Sequence, residues 1–307
     1  MAIEASQLVT GASGFIGRAV VAHLASLGRT VIAAGRTAPK APDGVRTVAI
    51  GDIAAGIDWP PLLVGVDCVI HCAARAHILK DEAAHPMSAF RLVNRDAALA
   101  LGRAAAEAGV RRMIFLSSIG VNGGETSGRP FRSGDEPLPH SDYAVAKWEA
   151  EQGLAEIAAT SGMELVIIRA PLVIGPAPKG NLGSLASAIR RGIPLPLGMV
   201  TRNRRDLLSL DVLADLIATC VNAPGAKGGV LLASDGQPRS TRQIVERIAA
   251  DVGRRARLFP VPPPLLGGAL RALGRTALAQ QLLGDLEVDI GETCRRLDWK
   301  PRPGAIA

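Results

Sequence analysis

The stretch Thr10-Gly11-Ala12-Ser13-Gly14-Phe15-Ile16-Gly17 decides the fold. It follows the apolar pair Leu8-Val9 and opens a segment whose apolar residues, Val20, Val21, Leu24 and Leu27, recur at helical spacing. That context reads as a strand, a tight glycine turn and a helix. Gly11 permits the turn, Gly14 lets the backbone approach a pyrophosphate, and Gly17 lets the helix sit close to the sheet. The start of the helix then presents unpaired N–H groups and the positive end of its dipole to phosphates. Glycines also make ordinary turns, so it is the strand–turn–helix setting that turns the motif into a dinucleotide site.

Downstream the pattern alternates. Thr30–Ala34 and Leu165–Ile168 read as buried strands, and Val45–Ile50, Asp67–His71, Met113–Leu116 and Val230–Ala233 as further strands. Helical periodicity runs between them, from Leu92 to Ala108, from Tyr143 past Leu154, and from Thr241 to Val252. Strands alternating with helices specify an α/β fold, a doubly wound parallel sheet of the Rossmann type. The expected division is a cofactor-binding domain over 1–170 and a smaller α/β substrate-binding region over 171–307, with 206–233 packing back on the sheet. Asn181 is expected at a helix start, and Asp211 as the N-cap of the helix from Val212 to Cys220.

After the second strand the chain reads Gly35-Arg36-Thr37, with no carboxylate to bond ribose hydroxyls. Arg36 suits a 2′-phosphate instead, so NADP(H) is favoured over NAD(H). Small residues at Cys72-Ala73-Ala74 let a cofactor lie against a strand end. Tyr143 is the single tyrosine, and Lys147 lies four residues on, hence on the same helical face. There the ammonium is expected to lower the phenol pKa and to help hold the cofactor ribose. Ser118, at a strand end, is placed to bond a substrate carbonyl.

Composition narrows the class. With 48% hydrophobic and 21% charged residues over 307 positions, the chain is a packed globule rather than a disordered one. The most apolar late stretch, Leu258–Leu283, is broken by prolines and arginines and makes a poor membrane span. The net charge is +7, yet aromatics are only 3%, too few for the stacking platforms of a nucleic-acid binder. Four cysteines without a metal-ligand repeat point to a reducing cytoplasm, with neither disulfide nor zinc.

On these residues the chain resembles the extended short-chain dehydrogenase/reductase family, in its nucleotide-sugar epimerase/reductase branch. The likeness covers Thr10–Gly17, Gly51-Asp52-Ile53, His71–Arg75, Ser117-Ser118, Tyr143 with Lys147, Arg169–Pro176, Arg205–Asp211 and Arg296–Pro301. It implies that Ser118, Tyr143 and Lys147 are catalytic. It also implies that Gly11, Ser13, Gly14, Phe15, Ile16, Gly17, Arg36, Asp52, Ile53, Cys72, Ala73, Ala74, Asn94, Ser117 and Pro171 line the cofactor, with Asp52 near the adenine. For a UDP-sugar substrate it implies Arg75, Ser118, Asn122, Asn181, Arg205 and Asp285. A homodimer through the helices around 88–108 and 142–160 is a further expectation of that family.

Within the branch, His71–His77, Ser117–Gly123, Lys147–Gln152, Lys179–Asn181 and Leu195–Gly198 look like bacterial ketoreductases that form UDP-N-acetylquinovosamine for surface polysaccharide. One departure is Leu172, where many relatives carry an Asn that helps place the diphosphate; Asn181, Lys179 or Arg205 must then hold it.

Three rivals are weighed. An epimerase uses the same three residues on retained NAD, and Arg36 tilts against it. A 4,6-dehydratase needs an Asp-Glu pair where Ile119-Gly120 stand. A silent NADP-sensing regulator usually loses the tyrosine or the lysine. Arg36→Asp is expected to weaken NADPH binding far more than NADH binding in fluorescence titrations; equal effects on the two would remove Arg36 from the 2′-phosphate site.

Overall fold

The computed structural model describes residues 6–76, 86–176 and 180–302. Strand β1 (Ser6–Thr10) passes through the glycine turn into helix α1 (Phe15–Ser26), and β2 (Val31–Gly35) and β3 (Arg46–Ala49) follow. The short helix α2 (Pro60–Leu63) leads to β4 (Val66–His71). Helices α3 (Pro86–Arg91) and α4 (Ala97–Glu107) are joined by one π-helical turn, Leu92–Asp96, where a single regular helix is expected from the sequence. Then come β5 (Arg112–Ser118), the 20-residue α5 (Asp142–Ser161) and β6 (Glu164–Ala170).

The seven-stranded sheet runs β3-β2-β1-β4-β5-β6-β9, every pair parallel, with β9 (Val230–Leu232) as the last strand. The chain moves outward from β1 to β3 on one side, then restarts at β4 on the other. The order therefore reverses between β1 and β4, and a doubly wound sheet opens a ligand crevice there, beyond the strands' carboxyl ends.

Both faces are covered, as parallel strands require. On one face Val20, Val21 and Leu24 of α1 pack with Val9, Ile168 and Leu231 of the sheet. They meet Leu213, Leu216 and Ile217 of α7 (Leu210–Asn222). On the other, Leu101 and Ala105 of α4 and Ala150 and Leu154 of α5 cover Leu8, Met113 and Phe115. Gly102 and Gly153 allow α4 and α5 to approach closely. A Cβ at Gly102 would stand 2.5 Å from Leu154, and one at Gly153 would stand 2.6 Å from Leu99.

The rest builds a second layer beside the crevice. Strands β7 (Leu172–Ile174) and β8 (Leu207–Ser209) form a small parallel pair, with helices α6 (Gly180–Arg190) and α8 (Thr241–Asp251) packed on it. This small sheet has no counterpart in the sequence reading. Helices α9 (Pro263–Ala272) and α10 (Thr276–Leu283) occupy the proline-broken apolar stretch, and α11 (Gly291–Leu297) ends the order. Among the described residues no helix is long and apolar enough to cross a membrane. The final Trp299 is buried and donates its indole N–H to Asp215 at 2.7 Å, docking the tail on α7.

Two expected caps are corrected. Helix α7 starts one residue before Asp211, with Ser209 at its N-cap, so Asp211 sits in the first turn. Helix α6 begins at Gly180, which puts Asn181 inside its first turn. A cap must precede the helical backbone, and neither residue does.

Candidate active site

At the switch point the glycine turn is packed against the end of β4. Gly11 adopts φ 67°, and a Cβ there would stand 2.7 Å from the backbone N of Ala73. Gly14 N–H donates to the Gly11 carbonyl at 2.8 Å and closes the turn. Gly14 is the N-cap of α1, with no side-chain cap bond and no acidic residue in the first turn. The helix therefore starts, directly after the side-chain-free Gly14, with N–H groups that no side chain caps. That cradle fits the pyrophosphate of a nicotinamide dinucleotide. The neighbouring strand end bears Arg36, exposed, and Gly51 N–H donates to the Arg36 carbonyl. Asp52 already accepts from Ala54 N–H at 3.1 Å, capping the turn that contains Ile53.

The loop Cys72–Arg75 is fixed by Asn94, which is fully buried. Its Oδ1 accepts from Arg75 N–H at 2.9 Å and its Nδ2 donates to the Arg75 carbonyl at 3.1 Å. Asn94 reaches that loop from the π-helical turn, whose extra residue alters the helix's facing. Its amide thus positions the loop that carries Ala73, Ala74 and Arg75. Arg75 lies over the Phe90 ring, 5.7 Å away, and Phe90 meets Tyr143 edge-on at 6.2 Å.

Ser117 and Ser118 end β5 and, as neighbours in a strand, face opposite sides. Ser118 Oγ accepts from Gly120 N–H at 3.1 Å. The Ser117 hydroxyl donates to Glu151. Glu151 lies one turn beyond Lys147 on α5 and forms a buried ion pair with Arg169 of β6 at 2.6 Å, both side chains at most 2% exposed. Arg169 also donates to Asn122 Oδ1 at 3.0 Å, and Asn122 Nδ2 donates to the Arg132 carbonyl at 3.0 Å. Both amide atoms of Asn122 are therefore engaged by protein, and it is buried, whereas a substrate contact is expected there.

Helix α5 starts at the capping Ser141, whose Oγ accepts from Ala144 N–H, so Tyr143 lies in its first turn and Lys147 one turn on. Lys147 is buried with its ammonium 3.9 Å from the centre of the Phe115 ring, and His71 stacks on Phe115 at 5.9 Å. Burial pushes Lys147 down to about 7, although Glu151 and Cys72 pull the other way. Burial pushes the Tyr143 phenol up to about 12. This runs opposite to the lowering expected from Lys147, because burial disfavours the charged phenolate. The tyrosine is thus held as a neutral proton carrier. His71, bonded to Thr10 Oγ1 at 2.8 Å, is pushed down to about 3 by burial and is a neutral core residue. Phe90, Phe115 and Glu151 were not singled out from the sequence; only the four-residue step from Tyr143 through Lys147 to Glu151 marks the last of them.

On the opposite wall Arg205 donates to the Gly284 carbonyl at 3.0 Å. Burial lowers its pKa against the pull of Asp285 and Glu125. Asp285 Oδ1 accepts from Arg204 N–H at 2.7 Å. Asp206 bonds Ser234 and Val288 N–H, so Arg205-Asp206 is no surface ion pair. Pro171 is buried at the β6–β7 joint, and Leu172 is exposed. The Asn181 side chain, His77 and Lys179 lie outside the described residues. All four cysteines are free, and among the described residues no cluster could hold a metal ion.

A glycine cradle at the switch point, with serine, tyrosine and lysine beside it, defines an enzyme of the extended short-chain dehydrogenase/reductase type. Residues 7–231 match the NAD dependent epimerase/dehydratase family, and the chain belongs to that family. It is 40% identical over 298 residues to a UDP-glucose 4-epimerase of Vibrio cholerae, covering 96% of this chain and 90% of the relative. It is 27% identical to a GDP-6-deoxy-D-mannose reductase of Pseudomonas aeruginosa, covering 78% of each. The Thermus thermophilus UDP-glucose 4-epimerase crystallised with NAD shares the fold, with TM-score 0.76 at 24% identity over 97% of this chain and 94% of that one.

Two outcomes follow from the buried charges. Arg169→Met is expected to cost about 3–5 kcal/mol in urea unfolding by stranding Glu151, and adding Glu151→Leu to recover most of the loss. The Lys147 pKa lies below its unfolded value of 10.5, so the unfolded chain binds the extra proton between about 7 and 10.5. Stability relative to Lys147→Met should therefore rise with pH across that window and be lost as pH falls through about 7.

Proposed function

We propose that the protein is an NADPH-dependent reductase acting on the C4 ketone of a UDP-4-keto-6-deoxy-N-acetylhexosamine. The product is UDP-N-acetylquinovosamine or its 4-epimer, destined for surface polysaccharide. The observation that supports this reading is that Tyr143 and Lys147 stand one turn apart on α5, with Lys147 against Phe115 of β5, the strand that ends at Ser118. The bound nicotinamide supplies the hydride for C4. Tyr143 gives its phenolic proton to the C4 oxygen, and the O–H bond of the alcohol forms as the phenol O–H breaks. Ser118 Oγ donates a hydrogen bond to that oxygen, and the Lys147 ammonium offsets the charge developing on oxygen and phenolate.

NADP(H) rests on Arg36, exposed at the end of β2 with no carboxylate beside it in the sequence. The nucleotide is assigned to the wall of Arg205 and Asp285, with the sugar between that wall and Ser118.

A 4-epimerase is the second reading, favoured by the 40% identity to the Vibrio cholerae protein of that name. Mass spectrometry of the denatured, purified protein separates the two. Retained NAD that does not exchange would establish the epimerase, and an empty site preferring NADPH the reductase. Tyr143→Phe is expected to lower kcat by about 10²–10⁴-fold while leaving NADPH affinity unchanged. A fully active variant would remove Tyr143 as the proton donor.

A further inference from the structure

Beyond Ser118 the site wall carries two glycines, and one side chain fills the space they leave. A Cβ at Gly120 would stand 2.9 Å from His140 Cε1 and 3.2 Å from Ser118 Oγ. One at Gly124 would stand 3.1 Å from His140 Cδ2 and 3.1 Å from Gln280 Nε2. The imidazole is therefore clasped between the two glycines, with Ser118 on one side and Gln280 on the other. His140 as a residue is exposed, unlike the buried His71. His140 Nδ1 lies 3.1 Å from the Gly120 carbonyl oxygen, which can only accept. This bond assigns the proton to Nδ1 in the neutral ring and leaves Nε2 as an acceptor. Past Gln280, whose carbonyl lies 3.5 Å from Arg205 Nη1, the wall continues to Arg205 and Gly284.

We infer that His140 is a specificity-determining residue of this site, its Nε2 accepting a hydrogen bond from a hydroxyl or amide N–H of the hexose between Ser118 and Arg205. The inference rests on the proposed UDP-sugar substrate. A fixed acceptor left without its donor discriminates against ligands that lack the group. The two glycines give the geometry its origin. A side chain at either position would stand where the ring lies, and the carbonyl of one of them sets the ring's tautomer.

The test is calorimetric titration of the full chain, with NADP⁺ present, using UDP and UDP-N-acetylglucosamine as probes. Wild type is expected to bind the sugar nucleotide more tightly than UDP. His140→Ala should weaken UDP-N-acetylglucosamine about tenfold and leave UDP unchanged, which also reports an intact fold; His140→Gln, which keeps an acceptor, should regain part of the loss. Gly124→Ala, which crowds the ring without removing it, should reproduce the His140→Ala pattern. An undiminished preference for the sugar nucleotide in His140→Ala would overturn the inference and leave the proposed function standing. Failure of wild type to bind either probe would overturn both.

Discussion

Helix α5 carries both the proton donor and the lysine, and what holds it in place is a carboxylate and a guanidinium with almost no solvent contact. Glu151 and Arg169 join the helix to β6 across the sheet face. Taking two such charges out of water is costly, and their attraction offsets the cost only where the remaining lone pairs and protons are also met. Here Ser117 and Asn122 meet them, and the Trp148 ring lies 5.6 Å from the guanidinium. The same contacts tie the end of β5 to α5. Ser118, the next residue of β5, is therefore held in fixed relation to Tyr143 and Lys147.

That rigidity sets the electrostatics of the pocket. Lys147 lies over an aromatic face in a site dry enough to draw its pKa to about 7, and the same dryness raises the tyrosine. A cation–π contact contributes only about 0.5–2 kcal/mol, less than the desolvation it accompanies. The balance suits a group that must give up a proton to an alkoxide rather than rest as a phenolate.

The substrate wall depends on long-range pairing. The segment from Ile119 to His140 is stitched to the late chain by Thr126 with Asp285 and by Phe131 with Glu287 and Asp289. Arg205 pairs with both Arg239 and Leu286. Residues more than 150 positions apart thus form one surface facing the strand ends. The loop that follows β5 is held as firmly as an element.

Much of the fold was legible in the order of residues. Thr10–Gly17, the alternating apolar runs and the four-residue step from Tyr143 to Lys147 are local patterns, and local backbone sterics and periodicity determine them. The strands expected at 30–34, 67–71, 113–116 and 165–168 fall within or against β2, β4, β5 and β6. Direction and partnership were not legible. Ser117 and Asn122 are polar residues near a strand end, and nothing in their spacing says that both bond into the Glu151–Arg169 pair. Asn94 reads as a helical polar residue until the π turn aims it at Arg75. Phe115 and His140 are ordinary core and loop residues until the sheet and two distant glycines place them. The sequence by itself determined the main strands and helices of the sheet and the chemistry carried by Thr10–Gly17, Tyr143 and Lys147, because those follow from neighbours in the chain. Only the tertiary structure decided which polar groups are spent on one another and which face the site, because burial and partners come from residues far apart in sequence.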